Sequence, residues 1–494
     1  VTSTVTARSQ PAQQPTTPHR WGILIVACLA QLMVVLDATI VNIALPTAQQ
    51  DLGFSDGSRQ WIVTAYALAF GSLLLLGGRL GDLLGRRIMF LTGLVGFAAA
   101  SALGGAAGSF ELLVSARAAQ GVFAAMLAPA ALSLVTTTFT DAAERARAFG
   151  VYGAIAGSGG AIGLLLGGTL TEFLSWRWCL YVNVPIAILA LVGGFLWLQR
   201  GGGDRTASVD LPGAVLSVSG LVAVVYGLAH AETDGWGSAA TLGFIALGVV
   251  LLALFVQVER RVRDPLLPLR VLADRNRAAS FFAVGISGAG MFAMFLFLTY
   301  YLSTILGFSP LSTGLGFLPM SLALMLSAQF ATPLVNRIGA KVPVTVGFAA
   351  AAVGMLLFTR LEVDSSYARD VLPGLIVVGL GLGFVMSPSM SGATDRVDPE
   401  HAGVASAAVN TFQQIGGSIG TAVFSALSAS AAESYLSGRD PRDPLTQAQA
   451  ALESYTAVFW AGVGVYALGA VICGFLLRHG AMAGDRDAPS VPAH

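Results

Sequence analysis

Fourteen stretches of about 20 consecutive apolar residues recur along the chain, the length needed to cross a ~30 Å hydrocarbon core as a helix. They fall at residues 21–46, 61–78, 88–108, 112–139, 149–170, 179–198, 211–230, 240–258, 279–305, 312–335, 342–359, 371–390, 402–428 and 455–477. The runs are continuous rather than alternating, so they read as membrane helices and not as strands of an outer-membrane barrel. Composition agrees: of 494 residues, 55% are hydrophobic and only 11% charged. That is less than half the charge of a soluble domain, too little to cover a water-facing surface of this size. A soluble enzyme and a disordered protein are excluded, and so is a nucleic-acid partner, because 27 Lys+Arg are balanced by 27 Asp+Glu. The partner that composition demands is the lipid bilayer.

An even number of spans places both termini on one side. With the N-terminus inside, 20 of the 27 Lys+Arg fall in inner segments. Six fall outside (Arg59, Arg177, Arg360, Arg369, Arg439, Arg442) and one, Arg117, within a span. The excess predicts cytoplasmic termini. Residues 1–20 and 479–494 are polar and read as disordered tails, and 429–454 as a polar outer loop with room for a short helix. Lys341 is the only lysine, an arginine bias that fits a GC-rich bacterial genome and hence a bacterial cytoplasmic membrane.

The chain also matches itself at a shift of 254. Leu80, Gly85 and Arg87 meet Leu334, Gly339 and Lys341; Thr140-Asp141 meets Thr394-Asp395; Gly163 meets Gly417. A six-helix unit recurring with two helices inserted would do this, giving bundles at 21–198 and 279–478 and a linker at 199–278. Two parallel six-helix repeats around a central cavity are a known transporter plan.

Polar residues inside the spans are few. Span 1 carries Leu36-Asp37-Ala38-Thr39-Ile40-Val41-Asn42, and an Asp at that depth costs about 2.5–3.5 kcal/mol on insertion scales. It must face a cavity, a partner or a proton. Span 4 carries Ala116-Arg117-Ala118-Ala119-Gln120-Gly121, and a buried guanidinium needs an acceptor, for which Asp37 is the obvious intramembrane choice. Snorkelling of Arg117 toward the outer interface near Glu111 is the competing reading. Span 5 has glycines at 159, 163, 167 and 168, a small-residue ladder for close helix contact. The loop after span 2 reads Gly78-Arg79-Leu80-Gly81-Asp82-Leu83-Leu84-Gly85-Arg86-Arg87, with glycines for a tight turn and an anion at a helix end.

That loop resembles the signature loop of the major facilitator superfamily, and the strings in spans 1 and 4 resemble those of its fourteen-span drug:proton antiporter branch. Gly163-Leu164-Leu165-Leu166-Gly167-Gly168 resembles the branch's span-5 motif, with Leu164 in place of proline. Ser175-Trp176-Arg177-Trp178, Asn183-Val184-Pro185 and Gln413-Gln414-Ile415-Gly416-Gly417-Ser418 add to the likeness. The resemblance implies an all-α polytopic protein with the major facilitator fold. It implies that Asp37 and Arg117 handle a proton. It also implies that Gly78, Asp82, Gly85, Arg86 and Arg87 form a conformational latch, closing on the start of span 13 at Asp398-Pro399-Glu400. The second half has Asn336 where Asp82 stands.

The function so implied is a monomeric proton-coupled exporter of small amphipathic drugs or antibiotics, driven by the proton gradient without a cofactor or an ATPase domain. No Gly-Lys-Ser/Thr occurs, since Lys341 follows Ala340, and the five His are scattered without a metal motif. Gln31, Asn42, Gln120, Phe292, Phe295, Tyr300, Asn410 and Gln413 are candidates for lining the substrate cavity. Beyond Asp37 the carboxylates lie at span ends or in loops, which favours a neutral, weakly charged or monocationic substrate. Two other readings are a facilitator carrier of a metabolite or siderophore, and a non-transporting sensor. The latter lacks the folded soluble domain a sensor needs.

Overall fold

A computed structural model describes residues 19–478, apart from 56, 140, 200–209, 263–264, 396, 398–401 and 441–442, and without the side chains of some helical residues, Asp82 among them. The described residues are helical and contain no strand. Fourteen helices are long and apolar enough to cross a membrane. Spans 1–6 are Arg20–Leu52, Gln60–Gly81, Arg86–Gly105, Phe110–Thr138, Arg147–Phe173 and Trp178–Trp197. Spans 7 and 8 are Leu211–Ala231 and Ala239–Glu259. Spans 9–14 are Arg275–Ile305, Pro310–Val335, Lys341–Phe358, Tyr367–Thr394, Val404–Leu436 and Leu445–Leu476. The face carrying residues 53–55, 57–59, 106–109 and 306–309 is called outer below, after the charge asymmetry of the loops.

Local sequence sets the helix ends. Ser109 accepts from the Leu112 amide, Asp141 from that of Glu144 and Ser238 from that of Thr241, each capping the turn it opens. The internal repeat reappears in the backbone. Gly53 and Gly307, 254 residues apart, both end their helices at φ 67°, and Gly85 and Gly339 turn at φ 94° and 84°. A side chain at these positions would be strained. The outer loop expected at 429–454 is much shorter. Span 13 runs on to Leu436, and the next helix begins at Pro444, one residue after the Asp443 cap. Both helices overshoot the apolar runs, and the Tyr435 hydroxyl of one donates to Gln449 of the other at 2.5 Å.

Glycines let the helices touch backbone to backbone. A Cβ on Gly77 would lie 2.0 Å from the Ala125 carbonyl oxygen, and one on Gly121 would lie 2.4 Å from that of Tyr66. Large apolar side chains such as Phe475, Leu196 and Phe330 are two-thirds or more exposed, as a lipid-facing surface requires. Span 7 lies along the seam where span 2 of the first bundle meets span 13 of the second: Leu221 and Val225 pack with Leu68, Ile415, Ile419 and Ala422. Span 8 packs on span 7 through Gly220, Gly227 and Gly248 and turns Leu242, Leu247, Val249, Val250 and Leu254 outward.

Candidate functional site

Arg117 and Asp37 are paired inside the first bundle. Arg117 Nη1 donates to Asp37 Oδ2 at 2.5 Å and to Gln120 Oε1 at 2.9 Å, while Nε donates to the Ile62 carbonyl at 3.1 Å. The other carboxylate oxygen, Oδ1, accepts from Gln120 Nε2 and Asn183 Nδ2, both at 2.8 Å. Ser101 Oγ accepts from Gln120 at 2.7 Å and Asn183 at 3.3 Å. The guanidinium lies 4.4 Å from the centroid of the Tyr66 ring. Spans 1, 2, 3, 4 and 6 all contribute. Asp37 is 0% and Arg117 1% exposed, which excludes snorkelling toward Glu111. On the outer side of Arg117, a void of about 10 Å³, room for about one water, is lined by Val41, Leu45, Trp176 and Cys179 among others.

Ser101, Asn183 and Tyr66 were not singled out as site residues by the sequence. Asn183 alone gave a signal, as the polar member of the Asn-Val-Pro string. Gln120, expected in the cavity, belongs to this cluster and is fully buried.

The second bundle provides an internal control. Gly121 of span 4 packs on the Tyr66 carbonyl, and Gly379 of span 12 packs in the same way on that of Met320, 254 residues beyond Tyr66. The Gly121–Gly379 match sets span 12 at a shift of 258 rather than 254, and in that register Arg117 and Gln120 correspond to Leu375 and Val378, both fully buried. Asp37 and Ser101, at the shift of 254, correspond to Met291 and Met355. The same six-helix plan is therefore filled by apolar side chains in one bundle and by a charged cluster in the other. Burying an ion pair is seldom more favourable than packing apolar residues of similar size. The fold does not require the cluster, so its presence points to function.

The span-5 glycines have two roles. Gly159, Gly163 and Gly167 face span 1, where Cβ atoms would strike Val35, Thr39 and Ile40 on either side of Asp37. Gly168 faces span 10 in the other bundle: its Cβ would lie 2.7 Å from both Leu311 Cα and the Pro310 oxygen.

The remaining candidates are dispersed. Asn410 is exposed on the face of span 13 between Ala407 and Gln414, both of which touch the first bundle. Gln413 is half-buried beside it. Phe292 packs on Gly417. Gln31 accepts from the Tyr152 hydroxyl at 2.7 Å, and Asn42 is buried with its amide donating to the Ala38 carbonyl. Phe295 is buried against Phe317, its ring centroid 5.0 Å away, and leaves the cavity list. Tyr300 leaves it too: its hydroxyl donates to Gln49 at 2.5 Å, and its ring lies 4.1 Å from the Arg59 guanidinium carbon, which closes the outer face.

In the loop after span 2, Gly85 is required by its φ of 94°, and Arg86 and Arg87 open span 3 half-buried. The close approach falls to Gly77; a Cβ on Gly78 would meet Pro129 only at 3.7 Å. The Asp82 side chain and its expected partners Asp398, Pro399 and Glu400 lie outside the described residues.

Two related six-helix bundles joined at the outer face, with a buried charge cluster in one of them, define a membrane transporter of the two-bundle type. The chain belongs to the Major Facilitator Superfamily, whose model matches residues 27–421. It is 49% identical over 98% of its length to a puromycin resistance protein of Streptomyces alboniger, covering 96% of that protein. It is 39% identical over 81% of its length to a cephamycin export protein of Amycolatopsis lactamdurans, covering 83% of it. A tetracenomycin C resistance and export protein of Streptomyces glaucescens is 35% identical over 83% of this chain and 76% of its own. Among solved structures, a bacterial homologue of the human lysosomal transporter Spinster matches with TM-score 0.65 at 14% identity, over 93% of this chain and 97% of that one. An auto-inhibited POT family peptide transporter matches with TM-score 0.64 at 16% identity, over 92% and 96%. At these identities the structures establish the fold.

Proposed function

We propose that the protein is a proton-coupled exporter of amphipathic antibiotics across the bacterial cytoplasmic membrane, with both termini in the cytoplasm. The observation that carries the coupling is the Arg117–Asp37 pair, fully buried in a bundle whose twin has apolar residues in its place. The resistance and export relatives support an antibiotic cargo.

The cycle runs as follows. With the outer face shut, Arg117 and Asp37 are paired, and the cleft takes substrate from the inside. Opening outward releases the substrate and gives Asp37 access to an outer proton once Arg117 swings away. Neutral Asp37 favours return, and re-pairing with Arg117 discharges the proton inside. One proton moving down 100 mV supplies about 2.3 kcal/mol, enough to hold roughly a fifty-fold substrate gradient. Asn410 and Gln413 offer hydrogen bonds in the cleft without a formal charge, in keeping with a neutral or singly charged cargo.

The test is export of puromycin or a fluorescent amphipathic dye in inside-out vesicles energised by a proton gradient. Wild type should accumulate the compound and lose it on adding an uncoupler, and Asp37→Asn, whose amide oxygen still accepts from Arg117, should be recovered in the membrane but not accumulate. Full accumulation by Asp37→Asn, or uphill transport in the opposite direction, would overturn the proposal.

A further inference from the structure

On the outer face, span 5 of the first bundle and span 10 of the second meet through a carboxylate. Glu172 Oε2 accepts from Ser309 Oγ at 2.6 Å and from the Leu311 amide at 3.0 Å. One turn away on span 5, Gly168 leaves no room for a Cβ against Pro310 and Leu311. A further turn on, the Leu164 carbonyl oxygen lies 2.4 Å from the position of a Cβ on Gly314. Leu164, Gly168 and Glu172 thus form one stripe of span 5, set against the first turns of span 10. The Tyr300–Gln49 bond joins span 9 to span 1, and the Arg59 stack on Tyr300 joins it to the start of span 2, at the same outer end.

We infer that Glu172 is a positioning residue of the transport cycle, a latch that holds spans 5 and 10 together and keeps the outer face shut. This rests on the alternating-access reading. A carboxylate accepting two hydrogen bonds is stronger than a neutral contact, and it binds only when the span-10 turn is within reach. The glycines below it fix that distance, since a Cβ at 168 or 314 would push the helices apart. The latch therefore engages in one state and releases wholly in the other, as a two-state element must. Its direct bonds go to Ser309 and to a backbone amide, so they leave the Asp37 cluster untouched.

The experiment uses the full chain in lipid nanodiscs, with Cys28, Cys179 and Cys473 replaced by Ala. Spin labels at Gly108→Cys and Asp364→Cys stand on outer loops of opposite bundles, both exposed. Distances between them are read by double electron–electron resonance. Wild type should be dominated by a short separation. Glu172→Ala should raise the ratio of long to short separations about fivefold, allowing for the exposure of the bond. Glu172→Gln, which keeps one acceptor oxygen, should give a smaller shift. The same shift should appear on an Asp37→Asn background, so failure of the proton mechanism does not remove it. Glu111→Ala, an exposed outer acid on span 4, is the control. An unchanged distribution in monodisperse Glu172→Ala, or an equal shift in Glu111→Ala, overturns the latch.

Discussion

Replacing Arg117 by Leu, the residue its counterpart carries, should be far more damaging than replacing Arg117 and Asp37 together. In Arg117→Leu the Asp37 carboxylate keeps two neutral donors, Gln120 and Asn183, but loses its cation. The Ile62 carbonyl and Gln120 Oε1 lose the donor that served them. Breaking a buried pair from one side costs about 3–5 kcal/mol. Neutral hydrogen bonds between membrane helices average only about 0.6 kcal/mol, so the stranded charge dominates. The new leucine returns part of this by packing, leaving a net loss of about 3 kcal/mol. In Asp37→Met with Arg117→Leu no charge is stranded, and Gln120 and Asn183 still reach Ser101. That variant should lie within about 1 kcal/mol of wild type. Membrane proteins often unfold irreversibly, so the assay is the half-life of the monodisperse protein in detergent at one elevated temperature. Expressed wholly in the unfolding rate, 3 kcal/mol shortens the half-life about 150-fold in the single variant. The double variant should recover most of it while remaining unable to export. A double variant as fragile as Arg117→Leu would refute the claim that the fold does without the cluster.

Other outcomes follow from the same geometry. Gly77→Ala places a Cβ 2.0 Å from a backbone oxygen and should sharply lower the yield of folded protein, while Gly78→Ala, with its nearest contact at 3.7 Å, should leave yield unchanged; size-exclusion profiles of the two decide it. Gly85→Ala forces alanine to φ 94° and should cost about 1–3 kcal/mol, read as a shorter half-life in the same thermal assay. Asn183→Leu removes a donor to Asp37 but leaves the ion pair, so it should alter the external-pH dependence of export while the protein stays folded; an unaltered pH profile would show that Asn183 only packs.

The sequence revealed whatever depends on one helix at a time. Run length fixed the fourteen spans, and the spacing of Gly85 and Gly339 recorded a repeat whose turns share a positive φ. It also pointed to Asp37 and Arg117 as partners, because a charge inside a span is rare enough that two of opposite sign restrict each other. It could not give the rest of the cluster. Ser101 is one small residue in a run of Ala and Gly, and what marks it is Gln120 and Asn183 arriving from two other helices. Polarity alone likewise made Gln120 look like a cavity residue, and an aromatic ring did so for Tyr300, although one is committed to Asp37 and the other to Gln49. Gly77 and Gly78 are indistinguishable as letters, and only the rotation of span 2 against span 4 decides which touches Ala125. The apolar counterparts carry the argument furthest. Leu375, Val378, Met291 and Met355 are unremarkable in the sequence, and they acquire meaning once the packing of Gly121 and Gly379 aligns the two bundles. An ordinary core in one bundle then identifies the polar core of the other as the part the fold could have omitted.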